Sequence, residues 1–278
     1  MTTWSSGAVQ LDRARLDGVK GFVLDVDGTL VHRAGRELHV LPGAVELLER
    51  IKASGRPLVL FTNGSHVAPE TFAAEIRATG LPVADDELLT PLVSVQFWLR
   101  ARLPGASVLL FGGDEPHGYL RRAEVRLVEE DPDVVFVAHS DAVDFGRLER
   151  AARAVIGGAK LLTASYRPAY AGADGPILSR GAMTAAAIAK ASSARPVVVG
   201  KPSRAALLAI ADRLGIATRD VALIGDDVNM DIALGRMGGS RTILVRSGIS
   251  GGVDLDRVPE RRRPDEVVES IAELLDRL

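Results

Sequence analysis

The chain has 278 residues, 47% of them hydrophobic and 25% charged, with 28 glycines and 14 prolines. This is the composition of a globular protein of one large domain or two, and it excludes wholesale disorder. With no cysteine, disulfides, thiolate zinc sites, iron–sulfur clusters and cysteine nucleophiles are excluded together, leaving oxygen and histidine as metal ligands. The 34 basic residues balance 36 acidic ones and aromatics are only 4%, which argues against a nucleic-acid partner.

The opening MTTWSSGAVQLDRARLDG lacks the basic–apolar–small pattern of a signal peptide. No apolar run approaches the roughly 18 residues of a membrane span. The expectation is a cytoplasmic protein without a membrane partner. Strand-like runs follow at Gly21–Val26, Pro57–Phe61, Val108–Phe111, Val134–Ala138, Lys160–Thr163, Pro196–Val199, Val221–Ile224 and Thr242–Val245. Amphipathic stretches lie between them, such as Val45, Leu47, Leu48 and Ile51 at helical spacing. The alternation predicts an α/β protein with a largely parallel sheet. Val267–Leu278 reads as a closing helix.

Four runs end in polar residues: FVLDVDGT (22–29), LVLFTNGS (58–65), VVVGKPS (197–203) and VALIGDD (221–227). In parallel sheets ligands bind beyond the carboxyl ends of the strands, so four such tips on one sheet would converge. About 130 residues separate the second tip from the third, too many for one crossover, which predicts an inserted second module.

Asp25 and Asp27 flank Val26. A continuing strand would crowd their carboxylates; a turn at Gly28 would let one serve as nucleophile and the other as general acid. A helix cap and a turn aspartate explain an isolated D-x-D equally well. Asp226, Asp227 and Asp231 form a second acidic group, and Asp25 with Asp226 would offer Mg²⁺ an oxygen-rich site, unless Asp226 merely caps the helix near Val228. Lys201, between Gly200 and Pro202, could neutralise a carboxylate and a phosphoryl oxygen together. Thr62 offers a hydroxyl, and Asn63, Gly64 and Ser65 offer backbone N–H groups to an anion.

The order D-x-D-G-T, T-N, K-P, G-D-D-x₄-D resembles the haloacid dehalogenase superfamily of aspartate-based phosphatases, most closely the NagD-like or p-nitrophenyl phosphatase-like subgroup with a large inserted α/β cap. The resemblance implies a Rossmann-like core of residues 1–84 and 177–278 and a cap of 85–176. It implies Asp25 as nucleophile, Asp27 as acid and base, Thr62, Asn63 and Gly64 at the phosphoryl group, and Lys201 steadying its charge. Mg²⁺ would be held by Asp25, the Asp27 carbonyl and Asp226, with Asp231 second-shell or water-mediated. The substrate would be a small phosphorylated metabolite such as a sugar or polyol phosphate. Pairing of two chains through the cap is also implied.

Two departures bear on specificity. Relatives often carry a T-N-x-D loop in the cap; here it reads Thr163-Ala164-Ser165-Tyr166, placing Tyr166 or Arg167 at the acidic position. The usual P-G-x-G re-entry reads Leu178-Ser179-Arg180-Gly181, placing Arg180 near the cap hinge. His66, just after the phosphate loop, faces the site or simply starts a helix. A phosphotransferase or mutase of the same fold and a non-catalytic phosphate-dependent regulator are the rival readings.

Overall fold

The computed structural model describes residues 16–35, 37–139, 141–170 and 177–278. Most of the stretch read for a leader therefore lies outside the described residues. The chain runs β1 (Gly21–Leu24), a hairpin β2–β3 (Val31–Ala34, Glu37–Val40), α1 (Ala44–Ala53), β4 (Leu58–Phe61), α2 (Pro69–Ala78), β5 (Leu88–Leu89) and α3 (Pro91–Arg102). It continues through β6 (Ser107–Phe111), α4 (Asp114–Arg122), β7 (Arg126–Leu127), β8 (Val134–Val137), α5 (Phe145–Ile156), β9 (Lys160–Thr163) and a hairpin β10–β11 (Ala169–Tyr170, Ile177–Leu178). The last part holds α6 (Arg180–Ser192), β12 (Val197–Val198), α7 (Arg204–Leu214), β13 (Val221–Gly225), α8 (Ala233–Gly238), β14 (Arg241–Val245) and β15 (Glu266–Val268).

Two parallel sheets organise these elements. The first has the order β15-β14-β13-β1-β4-β5, the second β12-β9-β8-β6-β7. The strands are apolar runs because both faces of each sheet are covered. In the first sheet Phe22, Leu24, Leu58, Leu60, Ala222 and Ile224 pack toward α1 and α2, while Val23, Val59, Phe61, Val221 and Leu223 pack toward α7. The second sheet alternates in the same way, with Leu109, Phe111, Val135 and Val137 facing α5 and α6. Helix starts follow local chemistry: Thr90, Asp144, Ser179 and Ser203 each accept an N–H of the first turn of α3, α5, α6 and α7.

Strand pairing moves the expected edges of the inserted module. Leu88–Leu89, inside the expected cap of 85–176, pairs with β4 in the first sheet. Val197–Val198, inside the expected core of 177–278, pairs with β9 in the second. Helix α6 lies in the second unit too, since Ala185, Ile188 and Ala189 share a core with β6, β8 and β9. By pairing, the chain leaves the first sheet after Leu89 and returns only after Val198. Arg180 is consequently part of the second unit, not a residue at its re-entry.

The seam is a helix pair. On α3, Leu92, Val95 and Leu99 pack into the second unit's core and Val93 into the first. On α7, Ala205 and Ala206 divide in the same way. The closing helix is also corrected. Glu266–Val268 pairs in parallel with β14, and Ile271–Arg277 is a 3-10 turn whose Ile271 and Leu274 are buried in the first unit's core. Among the described residues no helix is long and apolar enough to cross a membrane.

Candidate active site

Only three of the four polar tips belong to one sheet; Lys201 arrives from the second. β1 ends at Leu24 and delivers Asp25, whose N–H donates to the Ile224 carbonyl (2.9 Å). The chain then turns at Gly28, where φ is +87° and a Cβ would collide with the Asp226 carboxylate. This turn separates the two aspartates. Asp25 is buried, whereas the Asp27 side chain is 42% exposed and its Oδ1 accepts from Arg33 Nε at 3.2 Å.

Lys201 is the hub of the buried group. Its Nζ donates to Asp25 Oδ1 (2.5 Å) and to Asp231 Oδ1 (2.7 Å). Thr29 Oγ1 donates weakly to the other Asp25 oxygen (3.4 Å), and Asp231 Oδ2 accepts the Asp227 N–H (3.0 Å). Carboxylate oxygens of Asp25, Asp226 and Asp231 all lie within 4.8 Å of one another.

Three buried carboxylates share one ammonium, which leaves negative charge uncompensated and raises carboxyl pKa values. Burial raises the Asp25 carboxyl well above the usual range, and Asp231 and Asp226 add to this against the pull of Lys201. Asp226 is pushed up to about 7 by burial and then by Asp231, opposed by the Ile249 N–H. Asp227 is raised for the first two reasons. Burial works against the Lys201 charge, but Asp231 and Asp25 outweigh it and hold its pKa above the ordinary value. An all-oxygen donor set with excess negative charge fits a hard divalent cation such as Mg²⁺.

Asp226 is not a helix cap. Its Oδ2 accepts the Ile249 N–H (2.6 Å), and it is Asp227 that caps, accepting the Asn229 N–H (2.7 Å). The turn that follows, Val228–Ile232, is π-helical and carries Asp231 to Lys201. Such turns are frequent at functional sites.

Thr62 follows β4 and is 3% exposed, with its Oγ1 accepting the Gly64 N–H at 3.0 Å. Asn63 adds a contact that its position in the sequence does not announce. Its Oδ1 accepts the Lys201 N–H (2.7 Å) while its Nδ2 donates to the Lys201 carbonyl (2.9 Å) and to Met230 Sδ (3.2 Å). Gly200 makes this approach possible, because a Cβ there would press into Asn63, Pro91 and the Ala164 carbonyl.

Of the second-unit residues, Arg167 reaches the acidic group, 4.0 Å from Asp227 Oδ2, while Tyr166 beside it is 44% exposed. Arg180 pairs with Asp141 on the second unit. His66 lies on the first unit's side of the seam, and its ring meets that of His139, at the tip of β8, edge to face. Four contacts were absent from the sequence reading: the Asn63 clamp, the Arg33–Asp27 pair, the Ile249 N–H on Asp226, and His139. Arg33 lies only six residues beyond Asp27 and could have been found by proximity; the other three depend on distant segments.

The chain is similar to known proteins. Residues 22–126 match the family described as haloacid dehalogenase-like hydrolase, and residues 198–274 match a related HAD-hydrolase-like family. The chain is 30% identical to the ribonucleotide monophosphatase NagD of Escherichia coli K12 over 92% of its own length and 98% of that protein. It is 26% identical to the dihydroxyacetone phosphatase of Corynebacterium glutamicum, over 92% and 90% of the two chains. The solved p-nitrophenyl phosphatase from Archaeoglobus fulgidus superposes with a TM-score of 0.82 at 29% identity, covering 94% of this chain and 99% of the other. The chain belongs to the haloacid dehalogenase-like hydrolases and, among them, to the NagD-like phosphatases.

Proposed function

We propose that the protein is a Mg²⁺-dependent phosphomonoester hydrolase working through an aspartyl-phosphate on Asp25. The observation that carries this reading is the buried Lys201 ammonium held between Asp25 and Asp231. An Asp25 oxygen attacks phosphorus and the bond to the ester oxygen breaks; Asp27 gives the departing alcohol its proton. Water then attacks the phosphorus of the acyl phosphate and passes its proton to Asp27, releasing inorganic phosphate and restoring the Asp25 carboxylate. Thr62 Oγ1 and the N–H groups of Asn63 and Gly64 receive the phosphoryl oxygens, and Lys201 offsets their charge. Asp27 suits its role because it stands apart from the buried cluster, half in water and oriented by Arg33.

Asp25, Asp226 and Asp231, with the Asp27 carbonyl, would hold Mg²⁺, which supplies positive charge to the phosphoryl oxygens. The second unit acts as a cap that covers the site, excludes water and reads the leaving group. Sugar and polyol phosphates are the substrate class, in line with the named activity of the Corynebacterium relative. The enzyme works in the cytoplasm, and two chains pair through their caps.

Phosphate release from p-nitrophenyl phosphate and a panel of small phosphomonoesters tests the reading. EDTA should abolish turnover and added Mg²⁺ should restore it. Asp25→Asn should lower turnover by at least about a thousandfold. Turnover by Asp25→Asn at the wild-type rate, free of contaminating phosphatase, refutes it.

A further inference from the structure

We infer that the seam carries a second binding site, distinct from the acidic group, for a small organic carboxylate with an apolar body, and that its occupant slows turnover. The binding half stands on its own; the effect on turnover rests on the phosphatase reading.

A cleft of about 680 Å³ opens where α3 and α7 meet β12, the edge strand of the second sheet. Clefts of this size at the junction of two units are where small molecules commonly bind. None of Asp25, Asp27, Thr62, Lys201 or Asp226 lines it. Its walls come from both units: Trp98 and Arg102 from α3, Val197 from β12, and Arg204, Leu207 and Leu208 from α7. Val197 and Leu208 are 42% and 48% exposed, so this is apolar surface that neither core absorbs.

The polar groups of the cleft fix the charge of the occupant. No acidic residue lines it. The hydroxyls of Ser203 and Thr218 are spent, donating to the Val199 and Gly238 carbonyls. Arg102, Arg204 and the Trp98 indole have no hydrogen-bond or ion-pair partner among the described residues. All three are donors and none can accept. Guanidinium groups take a carboxylate by charge-assisted, often bidentate bonds and repel a cation. A bare inorganic anion would leave the apolar walls in water, and a neutral apolar molecule would leave the arginines unused. A carboxylate head on an aliphatic or aromatic body satisfies both.

Two features link this cleft to catalysis. Pro202 and Ser203 line it, and they directly follow Lys201, whose ammonium holds Asp25 and Asp231. An occupant also touches both halves of the seam, bracing α3 against α7. Turnover requires the cap to admit the ester and release the alcohol. A molecule that braces the seam therefore lowers kcat without excluding the substrate.

The test titrates the full-length protein with decanoate, below its micelle concentration, against two controls: decanol, which lacks the charge, and sulfate, which lacks the body. Trp98 emission reports binding once the chain's other tryptophan, Trp4, is replaced by Phe. Decanoate should change that emission saturably, and decanol and sulfate should bind at least about tenfold more weakly. It should lower kcat for p-nitrophenyl phosphate by about twofold or more at unchanged KM. Arg102→Ala, Arg204→Ala and Leu208→Glu alter exposed side chains, so activity without decanoate should stay within about twofold. Each should weaken decanoate by about tenfold. Decanol or sulfate binding as tightly as decanoate, affinity unchanged in both arginine variants, or binding with no fall in kcat overturns the inference. So does a rise in KM at constant kcat, which would put decanoate in the substrate's place. An active enzyme that binds no decanoate overturns it and leaves the phosphatase reading standing. A protein that binds decanoate as described but hydrolyses no phosphate ester defeats the phosphatase reading and, with it, the effect on turnover, and upholds the site.

Discussion

At the scale of single residues, the chemistry is set by how many negative charges share one buried ammonium. Lys201 neutralises part of the charge of Asp25 and Asp231, and Asp226 is left with a backbone N–H from Ile249 as its polar partner. Burial, and then the Asp231 charge, push the Asp226 carboxyl up to about 7. An acid whose folded pKa is raised keeps its proton in the folded state while the unfolded chain has lost it. Stability from this group is therefore complete at low pH and falls as pH rises from about 4 to about 7. A cation must displace that proton, so half-saturating Mg²⁺ should rise by roughly tenfold for each pH unit below 7. The shift in Tm produced by Mg²⁺ should likewise be larger at pH 8 than at pH 5.5. Calorimetric titration of Mg²⁺ across that range checks both, and an affinity independent of pH would contradict the assignment of Asp226 to the metal site.

At the scale of elements, the site depends on segments that strand periodicity cannot place. Buried strands such as GFVL, LVLF and VALIG are visible in the sequence because a parallel strand covered on both faces must be apolar throughout. The two-residue strands are different. Leu88–Leu89 and Val197–Val198 are too short to show a pattern, and only their partners, β4 and β9, decide which sheet holds them. For the same reason the loop bearing Lys201 was legible as a polar tip but not as the end of the second sheet. The direction of a side-chain amide is not legible at all. Asn63 shows this: its amide ties β4's loop to Lys201 and to the π turn that carries Asp231. If it serves catalysis by fixing Lys201, Asn63→Ala should lower kcat by about 10 to 100-fold with a smaller change in KM. In an Lys201→Ala background the same change should cost little more. A full, additive loss in that background would show that Asn63 acts elsewhere.

At the scale of the whole molecule, two sheets share one seam, and each half of the site comes from a different side of it. The motifs Asp25–Thr29, Thr62–Asn63, Gly200–Pro202 and Gly225–Asp231 were legible as a constellation because each follows an apolar run that could only be a buried strand or its neighbour. What meets across the seam was less legible. His139, which pairs with Asp141, meets His66 only after α5 and α6 have packed on the second sheet. On the proposed reading, the reaction itself rests on Asp25. The most direct measurement uses Asp27→Asn with p-nitrophenyl phosphate, whose leaving group needs no acid. Without its base the enzyme should stall after phosphoryl transfer, and acid quenching with peptide mapping should find the phosphoryl group on Asp25. A phosphoryl group on another residue, or none at a time when nitrophenol has already been released in a stoichiometric burst, would contradict the mechanism.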